Sequence, residues 1–102
     1  MKFAILGAGA VGGYFGARLA EAGEDVSFMA RGAHLEAIRS TGLRIESENG
    51  DAHIHPAQVS DDPAEVGPVD YVLFAVKLFQ TEETAEFAKP VVGPNTTLVA
   101  LQ

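Results

Sequence analysis

The sequence predicts an α/β domain: a mostly parallel sheet with flanking helices and a β-hairpin insertion. Three observations predict it. A short apolar run, Lys2–Leu6, gives way to the glycine-rich stretch Gly7-Ala8-Gly9-Ala10-Val11-Gly12. Behind that stretch Val11, Tyr14, Phe15, Leu19 and Ala22 recur at intervals of three and four, the spacing of an apolar helix face. A second apolar run, Val26–Ala30, follows almost at once. Two buried strands joined through a helix make the βαβ unit of a parallel sheet.

The remaining elements follow in order. Gly23 suits the stop of the first helix. Arg31-Gly32 ends the second strand, and Ala33–Ser40 reads as a helix turning Leu35 and Ile38 inward, with Gly42 as its stop. Leu43–Ser47 and Ala52–Val59 flank Glu48-Asn49-Gly50-Asp51, and Asn-Gly is a strong hairpin turn signal. Pro56 ends or kinks the second arm. Asp61 or Asp62 can cap a short helix that has Pro63 at its first position. Tyr71–Val76 is an unbroken apolar run and reads as a buried strand. Thr81 is a candidate cap for a helix over Glu82–Ala88, and Thr97–Leu101 reads as the last strand. The length of 102 residues fits one domain over 1–102.

Composition removes several classes of function. Hydrophobic residues make up 47% and charged residues 21%, which excludes wholesale disorder. Fourteen Asp and Glu against seven Lys and Arg give a net charge of -7, which argues against a nucleic-acid partner. The uncharged stretch Phe3–Ala17 has a signal-like flank in Lys2, but it is too rich in glycine for a signal h-region. No run is long enough to span a membrane. The chain has no cysteine, which fits a reducing, cytoplasmic setting.

The glycine stretch sits between strand and helix, where each glycine has its own task. Gly7 permits the tight turn out of the strand. Gly9 lets the backbone approach a pyrophosphate, and Gly12 lets the helix pack on the strand. The helix N-terminus then presents free N–H groups and a positive dipole end to phosphates. A dinucleotide site is the expectation.

The coenzyme follows from the end of the second strand. A carboxylate there accepts hydrogen bonds from the adenosine ribose and selects NAD. Here Arg31 holds that position, and no carboxylate follows until Glu36. A guanidinium fork suits a 2′-phosphate, so NADP(H) is the expected coenzyme. Lys77 follows the strand ending at Val76, at the carboxyl edge where ligands lie in open α/β sheets. Gln80 shares its loop and is a weaker candidate. His53 and His55 lie two apart on an expected hairpin face, but two ligands without a third make no zinc site. His34 reads as a helix-surface residue.

In combination, these residues resemble the ketopantoate reductase family (2-dehydropantoate 2-reductase). The matching pieces are the run from Gly7 to Gly16, Arg31-Gly32, Phe74-Ala75-Val76-Lys77 and Leu98-Val99-Ala100-Leu101-Gln102. The resemblance implies a Rossmann-like fold and an NADPH-dependent reduction of ketopantoate to pantoate, a step toward pantothenate and coenzyme A. It implies that Gly7, Ala8, Gly9, Ala10, Val11 and Gly12 cradle the pyrophosphate, that Arg31 holds the 2′-phosphate, and that Lys77 and Gln80 contact the coenzyme. Family members continue past the terminal glutamine into an Asn-Gly pair. Their second, helical domain carries the general-acid lysine and a substrate-binding carboxylate. The expectation is therefore the N-terminal coenzyme-binding half of a reductase, without catalytic residues and inactive alone. The alternative is a non-catalytic dinucleotide-binding or redox-sensing module. A small 2-oxo acid is the expected substrate of the whole enzyme, and the apolar terminal strand is expected to pair with another copy.

Overall fold

The computed structural model describes residues 1–7, 10–46, 48, 50–55, 57–74 and 86–100, with the backbone alone at 10 and 11. Strand β1 spans Lys2–Leu6, helix α1 Ala10–Glu21 and strand β2 Asp25–Met29. Helix α2 covers Gly32–Thr41, and strands β3 and β4 cover Leu43–Ile45 and Ala52–Ile54. Then come β5 (Gln58–Ser60), helix α3 (Pro63–Val66) and β6 (Val69–Phe74). A 3-10 turn over Lys89–Val91 leads into β7 (Val92–Ala100).

Five strands form one parallel sheet in the order β5-β2-β1-β6-β7, and β3 and β4 pair separately as an antiparallel hairpin. This is the α/β, Rossmann-like arrangement expected. The chain winds outward from β1 in both directions, so the strand order reverses between β1 and β6. Ile5 pairs with Phe28 on one side and Leu73 on the other. In-register partners share a face of the sheet. On that face Ile5, Phe28 and Leu73 pack with Ala17 of α1, Ile38 of α2, and Leu43 and Ala52 of the hairpin. The opposite face carries Ala4, Leu6, Met29 and Val72, covered by Ala88 and Val91. These two cores cover the two faces of the sheet.

Gly16 sets the close seat of α1. A β-carbon there would collide with the Phe28 ring and lie 3.1 Å from Ile5 Cγ1. Gly12, one turn earlier in the same helix, is buried as well. At α3 the expected cap forms: Asp62 Oδ1 accepts from the Ala64 amide at 3.0 Å, with Pro63 opening the helix.

Three expectations need correction. The arm expected over Ala52–Val59 is not one strand. Its hairpin part ends at Ile54, and Gln58–Ser60 leaves to pair in parallel with β2. The Gln58 amide anchors it there, donating to Asp25 Oδ1 at 2.6 Å and to the Val26 carbonyl at 2.9 Å. The last strand begins at Val92 rather than Thr97, because the pairing with β6 tolerates a register shift between Val69 and Tyr71. The Thr96 hydroxyl stabilises the shift, accepting from the Gly93 amide at 2.8 Å and donating to the Val69 carbonyl at 2.5 Å. Of the strand expected over Tyr71–Val76, the described part starts two residues earlier, at Val69.

Candidate functional site

Leu6, Met29 and Phe74 end β1, β2 and β6 at one level of the sheet and form the carboxyl rim. In an open parallel sheet, ligands bind beyond this rim where the strand order reverses. The chain leaves β1 at Gly7 with φ of 82°, a left-handed conformation that an L side chain disfavours. Helix α1 starts three residues later with no acidic residue in its first turn. Its positive end therefore faces the rim without a carboxylate of its own helix to offset it.

Arg31 stands just past β2 as the residue before α2, in extended conformation with φ of -148° and with no side-chain capping bond. Its guanidinium carbon lies 5.8 Å from the centre of the Phe87 ring. Among the described residues it makes no ion pair, whereas other cations are engaged. Arg18 bonds Glu21 at 2.7 Å and the Gly50 carbonyl, and sits 5.3 Å from the Tyr14 ring centre. The bonds to Glu21 and then Tyr14 raise the Arg18 guanidinium above its ordinary pKa. Arg39 pairs with Glu36 at 3.4 Å and Lys89 with Glu86 at 3.0 Å. Glu36, the first carboxylate after Arg31, is thus turned toward its own helix.

The structure brings Gly7, Gly12 and Arg31 to the same rim. Ala10 opens α1 and Val11 follows in it. Ala8, Gly9, Lys77 and Gln80 lie outside the described residues. Phe87 is the neighbour of Arg31 that sequence reasoning missed. Nothing in the helical pattern over 82–88 marks one aromatic as reaching across the sheet. A separate concavity of about 290 Å³ lies at the opposite, amino end of the strands. Lys2, Asp25, Ser27, Gln58 and Glu65 line it, a mixture of charges with no glycine turn or helix start. It lies on the wrong edge for a ligand of this fold.

His53 and His55 are exposed, as expected of a hairpin face, and also meet the end of α2. His53 Nε2 lies 2.7 Å from the Thr41 carbonyl and His55 Nε2 3.3 Å from the Ser40 carbonyl. Carbonyls only accept, so both rings donate to the otherwise unpaired end of α2. No group of three metal-ligating side chains occurs among the described residues. His34 is exposed on α2. No described helix is long and apolar enough to cross a membrane.

The family model "Ketopantoate reductase PanE/ApbA" matches residues 3–102. A 2-dehydropantoate 2-reductase of Mesorhizobium japonicum is 43% identical over 103 residues, covering 100% of this chain and 31% of the relative. The crystal structure of 2-dehydropantoate 2-reductase from Geobacter metallireducens superposes with a TM-score of 0.93 at 40% identity, covering 100% of this chain and 34% of that one. A D-mandelate dehydrogenase solved with NADH and anilino(oxo)acetate gives a TM-score of 0.84 at 27% identity, over 99% of this chain and 33% of that one. The chain thus spans about a third of the length of the relatives it matches. Since the match runs through every strand and helix of the rim just described, the chain belongs to the ketopantoate reductase PanE/ApbA family.

Proposed function

We propose that this chain is the NADPH-binding domain of a reductase that converts a small 2-oxo acid, ketopantoate foremost, to its 2-hydroxy acid. The observation that carries the reading is Arg31: a permanently charged fork at the rim of β2, with no carboxylate partner among the described residues. NAD would call for a carboxylate at that position. The residues present fit the group, since a left-handed glycine, an acid-free helix start and an unneutralised guanidinium all favour phosphate.

When bound, the coenzyme supplies hydride to the carbonyl carbon of the substrate. The task of this chain is to hold and orient it. The backbone from Gly7 to Gly12 cradles the pyrophosphate, Arg31 grips the 2′-phosphate, and Lys77 and Gln80 contact the coenzyme. Negative charge develops on the substrate oxygen as hydride arrives, and that charge needs a proton donor. No residue among the 102 is assigned that role, so the chain alone binds coenzyme without turning over ketopantoate. The outer edge of β7, where Leu98 is 54% exposed, is the surface through which copies associate.

Titration of the chain with NADPH and NADH, followed by nicotinamide fluorescence, tests the reading. Tighter binding of NADPH is expected. Equal affinities would instead favour the NADH chemistry of the D-mandelate dehydrogenase relative. Ketopantoate reduction by the chain alone would show that the donor lies within it.

A further inference from the structure

We infer that Phe87 is a positioning residue: it holds the Arg31 guanidinium where the 2′-phosphate arrives, and so sets the preference between phosphorylated and unphosphorylated coenzyme. The inference rests on the role proposed for Arg31. Phe87 is itself anchored. It is half-buried against the core that contains Leu6 and Met29, the last residues of β1 and β2, and its neighbour Ala88 is fully enclosed. The ring is therefore fixed at the carboxyl rim. Arg31 comes from the end of β2 and Phe87 from the segment after β6, with β1 between them in the sheet. Their contact crosses the place where the strand order reverses.

The chemistry explains why an aromatic ring serves here. The separation of 5.8 Å lies within the range over which a ring face attracts a cation. A carboxylate would hold Arg31 too, but would neutralise it and compete with phosphate. Among the described residues Glu36 is paired with Arg39 and Glu86 with Lys89. A ring face steadies the cation and leaves its five N–H donors, which radiate in the guanidinium plane, open to phosphate oxygens. An exposed arginine without such a support would lose more side-chain freedom on binding.

The test measures Kd for NADPH and for NADH in the unaltered chain, Phe87→Leu, Phe87→Tyr, Arg31→Ala and the Phe87→Leu/Arg31→Ala double variant. Leucine keeps the apolar packing, and tyrosine keeps the ring. Phe87→Leu is expected to weaken NADPH by about threefold to fivefold and leave NADH unchanged. Phe87→Tyr should restore NADPH binding, and Phe87→Leu should add nothing once Arg31 is alanine. Equal weakening of both coenzymes would reduce Phe87 to a structural residue and overturn the inference. Tighter NADPH binding in Phe87→Leu would overturn it as well, by showing that the ring competes with the phosphate. If Arg31→Ala leaves the NADPH-to-NADH ratio untouched, the role of Arg31 falls first. If that ratio collapses with Arg31→Ala but holds with Phe87→Leu, the role of Phe87 alone falls.

Discussion

Arg31 and Gly16 are the two positions where a single side chain, or its absence, decides most. Arg31→Ala removes one or two charge-assisted hydrogen bonds to a 2′-phosphate, each with a net value of about 1.5–3 kcal/mol. NADPH affinity should therefore fall at least tenfold by calorimetry while NADH affinity stays within about twofold. Gly16→Ala places a methyl group against Phe28 and Ile5, both fully enclosed, so neither can give way cheaply. Overpacking of this kind costs about 1–3 kcal/mol, and urea denaturation should show it as a lower midpoint at unchanged m. The place of Arg31 is legible in the sequence because the apolar run of β2 and the glycine after it fix where the strand ends. Phe87 is not, because its contact depends on how a later segment lies on the far face of the sheet.

Among the elements, α2 is held in a way that its own residues do not show. It has no side-chain cap at its start, and its last carbonyls are met by His53 and His55 from the hairpin. Gly42, with φ of 82°, turns the chain so that the hairpin can reach back to the helix end. His53→Leu leaves the Thr41 carbonyl without its donor and should cost about 1 kcal/mol. Faster amide exchange in the last turn of α2, with β1 unaffected, would be the sign; uniform exchange would contradict the capping role. The apolar runs of β1, β2 and β6 and the glycine and proline signals at α2 and α3 make those elements legible. Strand β5 is harder to read, since three residues after a hairpin arm carry no periodicity of their own. What places them is the Gln58 amide on β2, a tertiary contact. The early start of β7 depends likewise on Thr96 meeting Val69.

At the scale of the whole molecule, the strand order β5-β2-β1-β6-β7 puts the glycine turn, the start of α1 and Arg31 on one rim. Only a few local cations can receive an anionic coenzyme on a chain with a net charge of -7. On the proposed reading, the placement of Arg31 and of the start of α1, rather than overall charge, supplies the affinity. The same strand order leaves β7 outermost among the described strands, with Leu98 exposed. Sedimentation should show a weight-average mass that rises with concentration, and a strict monomer at high concentration would remove the proposed pairing edge. The central claim is a phosphorylated coenzyme lying across the β1–α1 turn with its adenosine end on Arg31. A crystal of this chain soaked in NADPH tests it most directly. The account predicts density for the pyrophosphate over the turn that begins at Gly7 and for the 2′-phosphate within hydrogen-bond reach of the Arg31 guanidinium. An empty turn at saturating NADPH, or a dinucleotide bound elsewhere, would contradict it.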